Sequence, residues 1–514
     1  MPTLKTPKSP DAPSTESGAD RHLCTDHVKV DIKHRSVRGG AIAFSAQGVK
    51  FALGLASTAL LARLLSPRDF GVVAVVTAVT GFVALFRDFG LGAVTIQRKE
   101  IQDTEVSALF WINAATGLVL VGITAALAPA LAAFYQKPEL RDVTFALSGV
   151  FLLGGLGVQH QALLRRQMRF LALAAIDIGA LAAGLTVGVM AARGGAGYWA
   201  LVYMHLTIEA TFLILTWTLC RWRPRRPGGF GAVRSMLGFG ANLTGYNLLN
   251  YVARNLDKVL IGRVFGMVAA GLYDHAYRLL MLPLRQINGP ATSVAIPALS
   301  RLADEPDRYR EAYFRFLDKI VLVTLPGVVF MIATSDWLVG LVLGPQWGGA
   351  ATVFLVLGLT AIVQPINHTA GWLFITQNRS REQLRWGLIS MALIVGSILA
   401  GLPFGVLGVA AAYAGSSCLI CTPLLWWYIG RRGPVTASGL WRTVAPFAFA
   451  AVVTLAILVL FRFRFDASPL AGLAIAFSLT VIVDLGVLAC FARGRAALAD
   501  TWNSIATLRR RGRA

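Results

Sequence analysis

The sequence predicts an all-α integral membrane protein of about fourteen transmembrane helices, arranged as two pseudo-symmetric six-helix lobes and a C-terminal helix pair. The first observation is composition: 56% of the 514 residues are hydrophobic and only 14% are charged, whereas soluble domains are about 25% charged. The second is that apolar runs of about 20 residues, long enough to cross a bilayer as helices, recur along the chain. The third is an internal repeat, which supports the two-lobe arrangement.

The apolar runs define fourteen predicted spans, and helices are favoured because each helix satisfies its own backbone hydrogen bonds in lipid. The spans lie near residues 40–62, 70–95, 106–134, 142–163, 171–192, 197–219, 233–254, 259–296, 319–340, 350–375, 386–403, 405–429, 440–461 and 468–491.

The distribution of basic residues supports this count. With the N-terminus placed in the cytoplasm, the tails and loops on that side carry 34 Lys and Arg residues, and the loops on the other side carry 10. This asymmetry is the one expected from the positive-inside rule. It places both termini in the cytoplasm, and it explains the net charge of +22 without a nucleic-acid partner.

The repeat has an offset of 200 residues. The stretch "LLARLLSPRDFG" at 60–71 aligns with "LIGRVFGMVAAG" at 260–271, and both place Arg-x7-Gly between two spans. Five pairs are identical: Leu60/Leu260, Arg63/Arg263, Gly71/Gly271, Val94/Val294 and Ile96/Ile296. Because 200 residues cover six spans, the two copies share one orientation, an arrangement used by secondary transporters. Chance similarity between two apolar segments is the alternative.

The predicted organisation has five parts. They are a disordered cytoplasmic tail at 1–38, an N-lobe at 39–225, a C-lobe at 226–432, helices 13 and 14 at 433–492, and a basic amphipathic cytoplasmic tail at 493–514.

Charged residues within the spans are the candidate site, because charge at membrane depth is costly and usually functional. Asp274, Arg278 and Arg285 share one helix face, since they are spaced i, i+4 and i, i+11. We expect four cations to line a cavity between the lobes and to bind an anionic ligand such as phosphate. These are Lys50, Arg254, Arg278 and Arg285.

Three further pairs of titratable residues have two interpretations each. Arg87 is either a further cavity cation or a cation that reaches the membrane surface beside its neighbour Asp88. Asp257 and Lys258 are predicted in a short external turn, as surface charges or as an outer gate. His205 and Glu209, spaced i, i+4, form either a proton-coupling pair or ordinary interhelical hydrogen bonds.

Three amides, Gln47, Asn247 and Asn250, face the same inter-lobe region in the repeat alignment. They are candidates for contacts with sugar hydroxyls, and interhelical hydrogen bonds are the alternative.

Motifs for catalysis, nucleotide binding and metal binding were not found. The sequence lacks GxxxxGK[ST], HExxH, GxSxG and a Cys/His cluster, and the loops predicted outside are short. We therefore expect no cofactor and no enzymatic activity.

The segment "RLLSPRDFGVVAVVTAVTGFVALFRDFGLGAVTIQRKEI" at 63–101 resembles the Wzx-type polysaccharide exporters, specifically their colanic-acid-exporter-like branch. These proteins belong to the multidrug/oligosaccharidyl-lipid/polysaccharide (MOP) superfamily. The matching residues are Arg63, Pro67, Phe70, Gly71, Asp88, Gly90 and "IQR" at 96–98, and in the second lobe Asp257, Lys258, Gly271, Tyr273, Pro283 and Pro297.

The resemblance implies a flippase of the bacterial inner membrane. It would carry undecaprenyl-diphosphate-linked oligosaccharide outward for exopolysaccharide, capsule or O-antigen synthesis, by alternating access through a central cationic cavity. It implies membrane lipids as partners, polysaccharide polymerase or export proteins as further candidates, and a monomer. The alternative is a cation-coupled multidrug exporter of the same superfamily, which the excess of basic over acidic residues in the spans disfavours.

Overall fold

The computed structural model describes residues 32–87, 91–98, 101–226, 230–465 and 468–511, and regular structure in these ranges is entirely helical. The first seven helices are α1 (Ile32–Leu64), α2 (Pro67–Ala84), α3 (Leu91–Gln97), α4 (Asp103–Tyr135), α5 (Glu139–Arg166), α6 (Phe170–Arg193) and α7 (Trp199–Leu219). The next seven are α8 (Phe230–Ser300), α9 (Pro306–Ala333), α10 (Ser335–Val342), α11 (Gly348–Thr376), α12 (Ser380–Gly401), α13 (Gly405–Gly415) and α14 (Thr422–Gly430). The last three are α15 (Ala437–Arg464), α16 (Pro469–Cys490) and α17 (Ala492–Arg511).

The chain is a multi-pass membrane protein. Ten of the described helical segments are long and apolar enough to cross a bilayer, and one of these, Ser380–Gly430, contains a break at Leu402–Phe404. Three helices of 18 or more residues lie outside this set. They are α17, which is rich in arginine, and α1 and α8, which carry Lys50, Asp274 and Arg278. Counting both parts of the broken segment, α1 and the two arms of α8 gives the fourteen crossings predicted from the sequence.

Helix α8 is a hairpin. Its Gly266 has φ 86° and ψ 178°, values outside the helical region, and a positive φ of this kind is readily adopted by glycine. Lys258 Nζ lies 2.6 Å from a carboxylate oxygen of Asp274, although sixteen residues of straight helix would separate them by about 24 Å. The arms at 230–265 and 267–300 therefore run antiparallel.

The turn between α1 and α2 occupies the corresponding place in the first repeat. Ser66 caps α2 by accepting the Asp69 N–H, and the Asp69 carboxylate accepts the Ser66 N–H in return. Pro67 occupies the first turn, where its lack of an N–H costs nothing. We call the end of the bundle that holds Ser66 and Gly266 the outer end, and the opposite end the inner end.

The two repeats meet where α2 crosses the second arm of α8. A β-carbon on Gly71 would overlap the main-chain carbonyl of Met267, and one on Gly271 would overlap that of Pro67. These contacts exchange under the 200-residue offset, because 67 pairs with 267 and 71 with 271. The repeat read from the sequence therefore has a structural counterpart.

The outer end is joined between the lobes by hydrogen bonds, which we call the outer seal. Arg63 donates to the carbonyl of Leu341 at 2.6 Å. Gln346 and the Trp347 indole donate to the carbonyl of Ala62 at 2.6 and 2.8 Å. The largest buried cluster also draws residues from both lobes here, including Leu61.

Three boundaries differ from the sequence-based ones. Helix α2 ends at Ala84, whereas the predicted span continued to residue 95. The predicted external turn at 255–258 is wrong, because the chain reverses at Gly266. Helix α1 begins at Ile32 and so includes residues 32–38 of the predicted tail, while residues 1–31 lie outside the described part. The other domain boundaries remain predictions.

Helix α17 packs against the first half of α9, toward the inner end. Arg493 bonds the Asp318 carboxylate at 3.2 Å, and Lys319 bonds Asp500 at 2.9 Å. Trp502 is exposed on this helix, and the amphipathic character of the tail remains a prediction.

Candidate functional site

A pocket of about 80 Å³ lies between the lobes, which we call the inter-lobe pocket. It is enclosed by α1, α2 and α7 on one side and by the second arm of α8 on the other. Its polar lining side chains are Ser57, Thr58, His205, Asp274, His275 and Arg278.

The pocket is closed toward the outer end by aromatic side chains. Phe70 and His275, which line it, have ring centroids 4.1 Å apart, and His275 stacks on Trp347 at 4.5 Å. Trp347 also takes part in the outer seal. Access from the outer end therefore requires this stack and the outer seal to separate.

An ionic cluster forms the C-lobe side of the pocket. The Asp274 carboxylate, whose side chain is 2% exposed, forms ion pairs with Lys258 Nζ at 2.6 Å and with Arg278 Nε at 2.5 Å. Two cations therefore share one carboxylate. Burying charge without a partner is costly, so this pairing explains how Lys258 is tolerated at 13% exposure.

Arg278 is the accessible member of the cluster, because its side chain is 51% exposed. Its ion pair uses Nε, and within the described part of the chain its two terminal amino groups have no hydrogen-bond partner. Guanidinium groups of this kind donate two parallel hydrogen bonds to phosphate or carboxylate. The arrangement can therefore bind an anion in the pocket without breaking the Asp274 pair.

Arg285 lies seven residues farther toward the inner end on the same arm, and it is exposed. Among the described residues it has no ion-pair partner. Seven residues are about two helical turns, so Arg278 and Arg285 lie on one face, as predicted from their spacing.

The N-lobe cations are paired within their own lobe. Lys50 Nζ lies 2.9 Å from the Asp177 carboxylate on α6. Arg87 lies 3.8 Å from Glu209 on α7. The sequence proposed Asp88 as the partner of Arg87, but Asp88 lies outside the described residues. Glu209 is therefore paired with Arg87. A coupling role for His205 and Glu209 remains a prediction.

Among the three amide candidates, the structure describes the side chain of Gln47. Gln47 donates to the side chain of Gln286 at 2.7 Å, which joins the two lobes. The side chains of Asn247, Asn250 and Arg254 lie outside the described part of the structure.

The placement of Asp257 and Lys258 as surface charges in an external turn is wrong. Asp257 is buried, and Lys258 bonds Asp274 inside the hairpin. Both residues lie about two helical turns from Gly266, where the chain reverses. The polar residues that suggested a turn are therefore packed inside the hairpin.

Two contacts were missed in the sequence, one within the N-lobe and one between the lobes. Asp177 is the acid that pairs with Lys50, and its signal was its position as the acid of an otherwise apolar span. The Tyr251 hydroxyl donates to the carbonyls of Thr77 and Ala78 at 3.2 and 3.0 Å. No local pattern marks this tyrosine, because its partners are backbone atoms of the other lobe.

These features define a class. Two six-helix repeats of one orientation, with charged side chains between them, are the architecture of a group of secondary transporters. The chain belongs to the family of polysaccharide biosynthesis proteins, whose profile matches residues 60–352.

Known proteins agree with this assignment. The lipopolysaccharide biosynthesis protein WzxC of Escherichia coli K12 is 25% identical over 391 residues, which cover 75% of this chain and 79% of WzxC. The solved lipid II flippase MurJ, in an inward closed conformation, superposes with a TM-score of 0.70 at 14% identity, covering 88% of this chain and 98% of MurJ. An inward-facing multidrug resistance MATE transporter of the MOP superfamily gives a TM-score of 0.60 at 16% identity, covering 78% and 99%. The two structures establish the MOP-type fold of this chain.

Proposed function

We propose that this chain is a flippase that moves polyprenyl-diphosphate-linked oligosaccharide across the bacterial inner membrane for surface polysaccharide synthesis. The observation that carries the proposal is Arg278, whose half-exposed guanidinium lies in the inter-lobe pocket of a polysaccharide biosynthesis protein. Two similar proteins support it, because MurJ is named a lipid II flippase and WzxC a lipopolysaccharide biosynthesis protein.

The diphosphate is the part of such a substrate that needs the protein most, because lipid solvates its charge poorly. In the proposed mechanism, Arg278 donates its terminal amino groups to the diphosphate while Asp274 holds its Nε. Arg285 supplies a second cation on the same face. This pair guides the headgroup from the inner end toward the pocket.

Lys50 and Arg87 are proposed to act later, because each must first leave an acid of its own lobe. Exchange of Asp177 or Glu209 for substrate phosphate couples binding to a rearrangement of the N-lobe. Arg254, Gln47, Asn247 and Asn250 remain proposed contacts for the diphosphate or the sugars. The pocket of about 80 Å³ is too small for an oligosaccharide, so the lobes must separate to admit one.

Transport without an ATP site is energetically reasonable. Moving one charge through 100 mV is worth about 2.3 kcal/mol. A diphosphate with about two negative charges therefore gains roughly 4–5 kcal/mol by moving outward from a negative cell interior.

The test uses a deletion strain complemented with Arg278→Gln or Arg285→Gln. We expect each variant to reduce surface polysaccharide about tenfold or more, since one charged hydrogen bond is worth about 1.5–3 kcal/mol, and lipid-linked precursor to accumulate. Arg310→Gln is the matched control, because Arg310 is an exposed arginine paired with Asp307 at the inner end. Normal export by both test variants at normal protein level would overturn the role of the arginines.

The competing function is a cation-coupled drug exporter, and buried Asp274 is the feature that favours it. In that case the deletion strain keeps its polysaccharide and becomes sensitive to cationic drugs. Loss of polysaccharide with unchanged drug tolerance supports the flippase.

A further inference from the structure

A second pocket, of about 380 Å³, lies at the inner end of the C-lobe, where α12 begins and α14 ends. We call it the inner basic pocket. Its lining is Glu382, Arg385, Tyr428, Arg431 and Arg432. It shares no lining residue with the inter-lobe pocket, and all its side chains belong to one lobe.

The charges of this pocket are unbalanced, with three arginines and one glutamate in the lining. The Glu382 carboxylate already accepts from Arg379 at 2.6 Å and lies 3.5 Å from Arg432. Within the described part of the chain, Arg385 and Arg431 have no carboxylate partner. The lining therefore carries a net charge of +2 that the protein leaves without a counter-ion.

Arg431 is held in place by aromatic rings. Its guanidinium carbon lies 4.3 Å from the Trp427 ring centroid and 4.9 Å from that of Tyr428. Contact with aromatic faces stabilises a cation without neutralising its charge. An arginine held in this way is pre-organised to donate hydrogen bonds to an anion.

The position indicates what kind of anion. Trp427 and Trp441, both about half exposed, lie near this end of the bundle, and exposed tryptophan is typical of the membrane–water interface. Lipid phosphates lie at that depth, and basic pockets between helices bind anionic headgroups there. A cavity of about 380 Å³ has room for a headgroup phosphate, since a water molecule occupies about 30 Å³.

We propose that the inner basic pocket binds a lipid-borne phosphate, with the headgroup of an anionic phospholipid as its resident ligand. Arg385 and Arg431 supply the two open guanidinium groups, and Tyr428 forms part of the wall. The diphosphate of a polyprenyl lipid carries the same chemistry and is the other possible source. Because binding is measured without transport, failure here leaves the proposed flippase function intact.

The test measures binding of fluorescent phosphatidylglycerol to the full-length protein in nanodiscs of phosphatidylcholine. We expect the double variant Arg385→Gln/Arg431→Gln to bind about tenfold more weakly or worse, because it removes two charged hydrogen-bond donors. Arg308→Gln/Arg310→Gln is the control, since it removes the same charge from exposed inner-end arginines outside the pocket. Arg431→Lys keeps the charge, and with Arg385 intact it should retain most of the binding.

Competing ligands distinguish the sources. Unlabelled phosphatidylglycerol that displaces the probe, without displacement by undecaprenyl diphosphate, supports the phospholipid. Stronger displacement by undecaprenyl diphosphate still supports a lipid-borne phosphate and assigns it to the polyprenyl lipid. Equal loss of binding in the test and control variants overturns the proposal. Displacement by inorganic phosphate but by neither lipid also overturns it.

Discussion

At the scale of single residues, Asp274 pairs one carboxylate with two cations in the described part of the chain. It is buried, and it pairs with a nearly buried lysine and a half-exposed arginine. The sequence placed Asp274 and Arg278 on one helix face, because i, i+4 spacing is local information. It did not predict the Lys258 pair, because that contact depends on where the hairpin reverses.

We expect Asp274→Asn to lower the stability of the protein by about 3–5 kcal/mol, because Lys258 would remain buried without an anionic partner. Thermal unfolding of the purified protein in detergent measures the change. Combining it with Lys258→Met should recover much of the loss.

Glu305→Gln is the control for this experiment, since Glu305 forms an exposed pair with Arg308, and such pairs contribute about 0–1 kcal/mol. An Asp274→Asn protein as stable as this control would show that the ionic cluster does not stabilise the fold.

At the scale of elements, the hairpins and the helix crossing determine where the charges lie. Apolar length predicted nearly every helix, but it did not show where helices break. The break after Ala84 was hidden because "VALFRDFGLG" is apolar on both sides of its charged pair. The hairpin at Gly266 was misplaced because the polar residues at 257 and 258 resemble a turn, although they pair within the interior.

The crossing of α2 with α8 yields a prediction. Gly71→Ala should destabilise the protein by on the order of 1–3 kcal/mol, because the added methyl group overlaps the Met267 carbonyl and forces the helices apart. Gly271→Ala should behave alike against Pro67.

Gly289→Ala provides the contrast, since nothing lies within 4 Å of its β-carbon position. Removing a helical glycine there should leave stability unchanged or raise it by up to about 1 kcal/mol. Thermal unfolding compares the three variants, and equal effects at 71 and 289 would argue against close packing at the crossing.

At the scale of the whole molecule, the sequence predicted the helical class and the number of crossings, because both depend on composition and length. It predicted the repeat from five identical pairs. The inter-lobe contacts could not be predicted from the sequence. Gln47–Gln286, Tyr251–Ala78 and the outer seal join residues 173 or more positions apart. Several of these bonds use backbone carbonyls, which leave no trace in side-chain patterns.

The predicted orientation can be tested in a variant with all five cysteines replaced by serine. We expect Lys137→Cys, at the exposed outer end between α4 and α5, to react with a membrane-impermeant maleimide in spheroplasts. Arg308→Cys, exposed at the inner end, should react only after permeabilisation. The reverse pattern would invert the topology and the direction of transport.

The contact between Gly71 and Gly271 also bears on the ancestry of the chain. The two halves of this contact are equivalent, as in the interface of two identical subunits related by a twofold axis. A duplicated and fused six-helix ancestor would account for it. Fusion then allows the halves to diverge: Ala74 and Ala78 occupy the positions that correspond to Asp274 and Arg278. A symmetric dimer of half-length chains would carry such charges on both sides or on neither, whereas the fused chain confines them to one.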